Sequence, residues 1–85
     1  MVYKIEFAAT AKKQFGKLPD ATRRRLVEAL DRLSENPRHS GTLKLAGGEN
    51  LYRTRTGDYR IVYRIEDHRL LVLVVKIGHR SDIYR

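Results

Sequence analysis

Apolar and polar side chains alternate along several stretches of the chain, and a period of two residues is typical of a β-strand with one buried face. A nearly continuous apolar run close to the end indicates one further strand. The predicted strands are residues 2–7, 51–56, 59–66 and 69–78. Short turns at residues 57–58 and 66–69 separate the last three strands, which predicts antiparallel hairpins.

Between the first and second of these strands, apolar residues recur at helical spacing in two segments. Thr10 is the predicted N-cap of a helix over residues 11–18. Asp20 is the predicted N-cap of a second helix that runs to about Ser34. Residues 36–48 contain a proline and three glycines and are predicted to form a loop.

The predicted order of elements is β-α-α-β-β-β, in a chain of 85 residues that is long enough for one modest core. We therefore expect a single α+β domain over residues 1–85, with a helical hairpin packed on one face of a small, twisted, mostly antiparallel sheet.

The absence of cysteine excludes a disulfide framework and fits a reducing compartment such as the cytoplasm. The start of the chain lacks a signal-peptide pattern. The longest apolar run, LLVLVV, is far shorter than the ~20 residues of a membrane helix, so no membrane association is expected.

The net charge of +8 predicts a positive surface that attracts nucleic acid or an acidic protein. Its distribution is uneven along the chain. Residues 36–85 carry ten basic and five acidic side chains, whereas residues 20–35 carry four of each, so the three consecutive arginines at 23–25 are locally neutralised. The excess positive charge is therefore expected on the later strands.

Strand alternation assigns the arginines of these strands to one face of the sheet. Tyr59, Ile61, Tyr63 and Ile65 are predicted to face the helices. The arginines predicted on the opposite side, called here the open face, are Arg53, Arg55, Arg60 and Arg64. Two interpretations remain: arginine covers a solvated sheet face well, or the clustered guanidinium groups bind phosphate, which offsets their mutual repulsion.

The closing segment, GHRSDIYR at residues 78–85, adds His79, Arg80, Asp82 and Tyr84 close to the same sheet. Histidine titrates near neutral pH and serves readily as an acid or a base. No two histidines have ligand spacing with a carboxylate, and no glycine-rich phosphate loop is present. We therefore expect neither a metal site nor a bound cofactor.

Two stretches, LYRTRTGDYRIVYRI and VLVVKIGHRSDIYR, resemble the RelE/ParE superfamily of toxins from type II toxin–antitoxin systems. The Gly-Asp-Tyr-Arg turn and the closing His-Arg-x-x-x-Tyr favour the RelE branch, and the predicted element order is also that of the family. The resemblance implies an endoribonuclease that cuts mRNA on the ribosome by attack of a ribose 2′-hydroxyl on the adjacent phosphate, without a metal. It also implies a cognate antitoxin protein as partner.

The resemblance also implies a role for each matching position. Arg60 and Arg80 are expected to contact the scissile phosphate, and Tyr84 to orient the 2′-hydroxyl or to stack on a base. Arg53 and Arg55 stand where some RelE members carry lysine, and arginine is a poor base because it stays charged. The residues expected to bind RNA are therefore Arg53, Arg55 and Arg64.

Three questions stay open from the sequence. His79 is the first candidate for the general base, and the alternative is a histidine that bonds the closing segment to the sheet. Tyr84 is the second candidate, although the ordinary tyrosine pKa of about 10 would have to be lowered. On function, the alternatives are a ParE-like inhibitor of DNA gyrase and a noncatalytic toxin fold that serves only its antitoxin.

Overall fold

Two helices and five strands follow one another along residues 2–79 and 81, the part of the chain that a computed structural model of the protein describes. The elements are β1 (Lys4–Phe7), α1 (Ala9–Gly16), α2 (Asp20–Glu35), β2 (Leu43–Lys44), β3 (Leu51–Thr56), β4 (Tyr59–Glu66), a 3₁₀ turn (Asp67–Arg69) and β5 (Leu71–His79). The predicted order is confirmed. Among the described residues, β2 is the added strand and lies within the predicted loop, and the predicted turn before β5 contains the 3₁₀ turn.

The strands form one sheet in the order β1-β5-β4-β3-β2. β1 pairs in parallel with β5, and the other three pairings are antiparallel, so the predicted mostly antiparallel sheet is confirmed. Gly57 has φ of 60° in the two-residue turn between β3 and β4. A glycine at the first central position with positive φ is typical of a type II′ hairpin turn.

The helix starts differ from the prediction. The N-cap of α1 is Ala8 rather than Thr10, because the backbone N–H of Ala8 bonds to the carbonyl of Val74 at 2.8 Å and the helix begins directly behind β1. The N-cap of α2 is Pro19. Asp20 is the first residue of that helix, and its carboxylate accepts a hydrogen bond from Arg23 instead of capping the backbone.

The core lies between the helical hairpin and one face of the sheet. The buried stripe of α2 is Leu26, Ala29, Leu30 and Leu33. It packs against inward-facing residues of β4 and β5, and these are Ile61, Tyr63, Ile65, Val72, Val74 and Ile77. The predicted helix-facing set of β4 is thus confirmed, and neither α1 nor α2 covers the opposite face of the sheet.

A cluster of polar contacts ties three distant segments together at one end of the sheet. Arg38 donates two hydrogen bonds of 2.9 Å to the carboxylate of Asp67, which also accepts one of 2.8 Å from the hydroxyl of Tyr3. The guanidinium of Arg38 lies 5.4 Å from the ring centre of Tyr52. The start of β1, the segment after α2 and the 3₁₀ turn are therefore joined through Asp67.

This cluster predicts an acid-sensitive contribution to stability. Hydrogen bonds from Arg38 and then from Tyr3 lower the pKa of Asp67 from 3.8 to about 2. A lowered pKa in the folded state means that the ionised carboxylate stabilises the fold above about pH 4 and loses this contribution as pH falls towards 2. We expect Asp67→Asn to lower the thermal midpoint modestly at pH 6, and the two midpoints to converge between about pH 4 and 2.

The measurement is thermal unfolding followed by circular dichroism over that pH range. Asp31→Asn, which removes an exposed carboxylate from α2, is the control for the general loss of one negative charge. A difference between wild type and Asp67→Asn that stays constant down to pH 2 would show that the carboxylate does not act through its charge.

Candidate active site

The pairing of β3 with β4 places Arg53, Arg55, Arg60 and Arg64 side by side on the open face, and this cluster is called here the arginine grid. Arg55 on β3 pairs with Arg60 on β4, Arg53 pairs with Val62, and Leu51 pairs with Arg64. Directly paired residues of antiparallel strands point to the same side of the sheet. All four predicted arginines therefore lie on the face opposite the helices, and this part of the sequence prediction is confirmed.

The arginines of this grid differ in burial. Arg55 and Arg64 are exposed and Arg53 is half-buried, but Arg60 is only 7% exposed. Its guanidinium makes a long hydrogen bond of 3.5 Å to the carbonyl of Tyr59. Coverage of a solvated sheet face explains exposed arginines well. It does not explain Arg60, which is buried although it lies on the face opposite α1 and α2.

A β-bulge in β5 determines which of its side chains point to the open face. Val62 pairs with Lys76 whereas the next residue of β4, Tyr63, pairs with Val74, so Val75 is the extra residue. A bulge of one residue reverses the alternation of side chains beyond it. Lys76 therefore joins the open face next to the grid.

Sequence reasoning missed Lys76. Strict alternation from the buried Val72 and Val74 would place it on the helix side of β5. A single charged residue within a strongly apolar strand was the available signal, since a buried lysine is unfavourable without a partner.

The same bulge places His79 on the helix side. In the register of β4 and β5, His79 pairs with Tyr59, and the neighbouring pair is Gly78 with Arg60. The rings of His79 and Tyr59 meet edge to face, with centroids 5.5 Å apart and an interplanar angle of 84°. The structure therefore does not bring His79 and Arg60 to one face, and the geometry favours the alternative of a histidine that bonds the closing segment.

Two of the predicted catalytic residues, Arg80 and Tyr84, lie outside the described residues, as does Asp82. Within residues 2–79 and 81, no group of three His, Cys, Asp or Glu side chains has an arrangement that would hold a metal ion. Over the same residues, no helix is long and apolar enough to cross a membrane.

A shallow pocket of about 570 Å³ lies at the far end of β4, away from Arg60. The lining includes Glu49, Arg64, Glu66, Asp67 and His68. Three carboxylates in one pocket repel phosphate groups. The open face around Arg60 is therefore the better candidate for binding RNA.

Comparison with known proteins places this chain in a family. Residues 5–84 match the family model described as the ParE toxin of the type II toxin–antitoxin system parDE. The chain is 37% identical over 89 residues to Toxin RelG of Mycobacterium tuberculosis, covering 100% of this chain and 99% of that relative. It is 33% identical to the mRNA interferase toxin RelE of Escherichia coli, covering 99% and 92% of the two chains.

The fold is similar to solved structures of the same group. The isolated Escherichia coli RelE toxin superposes with a TM-score of 0.81 at 31% identity, covering 96% of this chain and 90% of that one. The toxin of the intact Escherichia coli RelBE toxin–antitoxin complex also superposes with a TM-score of 0.81, at 30% identity, covering 91% and 95%. The chain therefore belongs to the RelE/ParE superfamily of toxins of type II toxin–antitoxin systems.

Proposed function

We propose that this protein is a toxin that cleaves mRNA on the ribosome as an endoribonuclease. The observation that carries the proposal is the buried Arg60 within the arginine grid of the open face. Relatives named mRNA interferase support this choice. The RelE names of these relatives and of the similar structures speak against the ParE-like alternative on the same fold.

The reaction we propose is an internal displacement at phosphorus. The 2′-oxygen of a ribose forms a new bond to the adjacent phosphorus, and the bond from phosphorus to the 5′-oxygen of the next nucleotide breaks. A base takes the proton of the 2′-hydroxyl, and the 5′-oxygen takes up a proton as it leaves. The products are a 2′,3′-cyclic phosphate and a 5′-hydroxyl.

Arg60 and Arg80 are proposed to hold the scissile phosphate. Negative charge grows on the phosphoryl oxygens in the transition state, and donors that are already fixed in place stabilise it best. The burial of Arg60 supports this role because a covered guanidinium has little freedom to lose when substrate binds. We infer that these two cations replace the charge that a metal ion supplies in other nucleases, so the reaction needs no metal.

The remaining cations of the open face are proposed to bind the RNA backbone on either side of the cut. These are Arg53, Arg55, Arg64 and the added Lys76. Contacts to phosphate position a nucleic acid without reading its sequence. Tyr84 is proposed to orient the 2′-hydroxyl or to stack on a base, and it remains a candidate for the base if neighbouring cations lower its pKa.

A cognate antitoxin is proposed as the protein partner. Similar structures include toxin–antitoxin complexes from Escherichia coli and from Pyrococcus horikoshii. The net charge of +8 suits an acidic antitoxin segment that covers the open face and excludes RNA. Because mRNA and ribosomes are the proposed substrate and platform, we place the protein in the cytoplasm.

Primer extension on a defined mRNA in a reconstituted translation system tests this function. We expect cuts that require ribosomes and that leave 2′,3′-cyclic phosphate ends. The same protein added to naked mRNA is the control and should produce no cuts. If the intact protein made no cuts but inhibited supercoiling by DNA gyrase, the ParE-like function would replace the proposed one.

A further inference from the structure

The imidazole of His79 makes a local contact at the beginning of the closing segment. Its Nδ1 lies 3.3 Å from the backbone nitrogen of Ser81 and 3.0 Å from the hydroxyl oxygen of that residue. Ser81 has helical conformation. A side-chain acceptor that bonds the backbone N–H two residues further on satisfies that donor in the way an N-cap residue does.

This contact determines which ring nitrogen of His79 carries the proton. The backbone N–H of Ser81 can only donate, so Nδ1 must present its lone pair. In a neutral imidazole the single proton then resides on Nε2. While the contact holds, Nδ1 is occupied by its donors and Nε2 already bears a proton, so the ring does not act as a base.

The ring and the strand that carries it are both anchored to the rest of the fold. Tyr59, which packs against the core, meets the ring of His79 edge to face. Two residues earlier, the backbone N–H of Ile77 donates to the side-chain oxygen of Gln14 on α1 at 2.7 Å. The end of β5 is thus held from the helix side, on the face opposite Arg60.

We propose that His79 is a positioning residue: it caps the backbone N–H of Ser81 and so fixes the chain where the closing segment begins. Arg80 stands between the two residues of the contact in the sequence. The effect on RNA cleavage rests on the proposed function, in which Arg80 holds the scissile phosphate. The contact between His79 and Ser81 does not depend on that function.

Two substitutions separate capping from proton transfer in single-turnover cleavage on the ribosome. Asparagine is a favoured N-cap residue and has no proton to exchange near neutral pH, so His79→Asn should retain cleavage within about threefold of the native rate. Alanine removes the acceptor, and His79→Ala should lower the rate about tenfold. If His79 is instead the base, both variants should lose at least about a hundredfold. Equal rates for native protein and His79→Ala would also overturn the proposal.

Nuclear magnetic resonance of the purified chain gives a readout that needs no RNA cleavage. We expect the nitrogen shifts of His79 at neutral pH to report the tautomer protonated on Nε2. The amide of Ser81 should be protected from hydrogen exchange in the native chain and in His79→Asn, but not in His79→Ala. A proton on Nδ1, or an unprotected Ser81 amide in the native chain, would overturn the capping role whether or not the protein cleaves mRNA.

Discussion

Replacing Arg60 with alanine is expected to reduce ribosome-dependent mRNA cleavage at least about a hundredfold, because one fixed donor to the developing phosphoryl charge is lost. The side chain is buried on the open face, so its guanidinium should lose little freedom when RNA binds. The loss should appear mainly in the rate at saturating ribosome concentration, since the proposed contacts of the other open-face cations with the RNA backbone are retained.

Because the replaced side chain is buried, the Arg60→Ala assay needs controls that distinguish a loss of catalysis from a loss of folding. Arg60→Lys retains the positive charge and much of the volume but not the planar two-pronged donor, and we expect a loss of about tenfold. Arg32→Ala removes the same charge from the exposed part of α2 and should leave cleavage unchanged. A folded Arg60→Ala protein that cleaves at the native rate would remove Arg60 from the site.

The second large effect is expected from Arg80→Ala, which should also reduce cleavage at least about a hundredfold. If Arg80 and Arg60 hold the same phosphate, the double variant should lose much less than the product of the two single losses. The measurement is a double-mutant cycle on single-turnover rates. Independent, fully multiplicative losses would show that the two arginines act at different phosphates.

Arg85→Ala is the matched control for Arg80, because it removes one positive charge from the same closing segment. We expect Arg85→Ala to retain cleavage within about threefold, since general attraction to RNA is shared among many cations. A loss as large as that of Arg80→Ala would indicate that the closing segment acts through its total charge. The assignment of Arg80 to the scissile phosphate would then be wrong.

Sequence patterning predicted the long strands and the two helices well, because each of them buries one regular face against the core. It missed β2, whose two residues are both exposed and leave no alternation to detect. It also misplaced both helix N-caps. The start of α1 is determined by a backbone bond from Ala8 to β5, and such a contact between distant segments has no local signal.

The candidate site was predictable in part for the same physical reason. The arginines of β3 and β4 alternate regularly across a tight hairpin, so their common face could be predicted from residue spacing alone. The faces of Lys76 and His79 depend on the bulge at Val75, and an extra residue inside a uniformly apolar run is invisible in the sequence. The sequence therefore predicted a strand at β5, but not the sheet face to which Lys76 and His79 point.

The bulge also has a consequence for how relatives of this protein are compared. Because an unpaired residue reverses the sheet face to which every later side chain of the strand points, the position of the bulge is as important as the composition of β5. A homologue that keeps every residue of β5 but pairs it without the bulge would retain the same closing motif in its alignment yet turn the histidine position towards the open face. Deletion of Val75 would therefore restore regular pairing and leave Lys76 on the open face and His79 on the helix side, so a one-residue gap in an alignment of this region belongs at Val75.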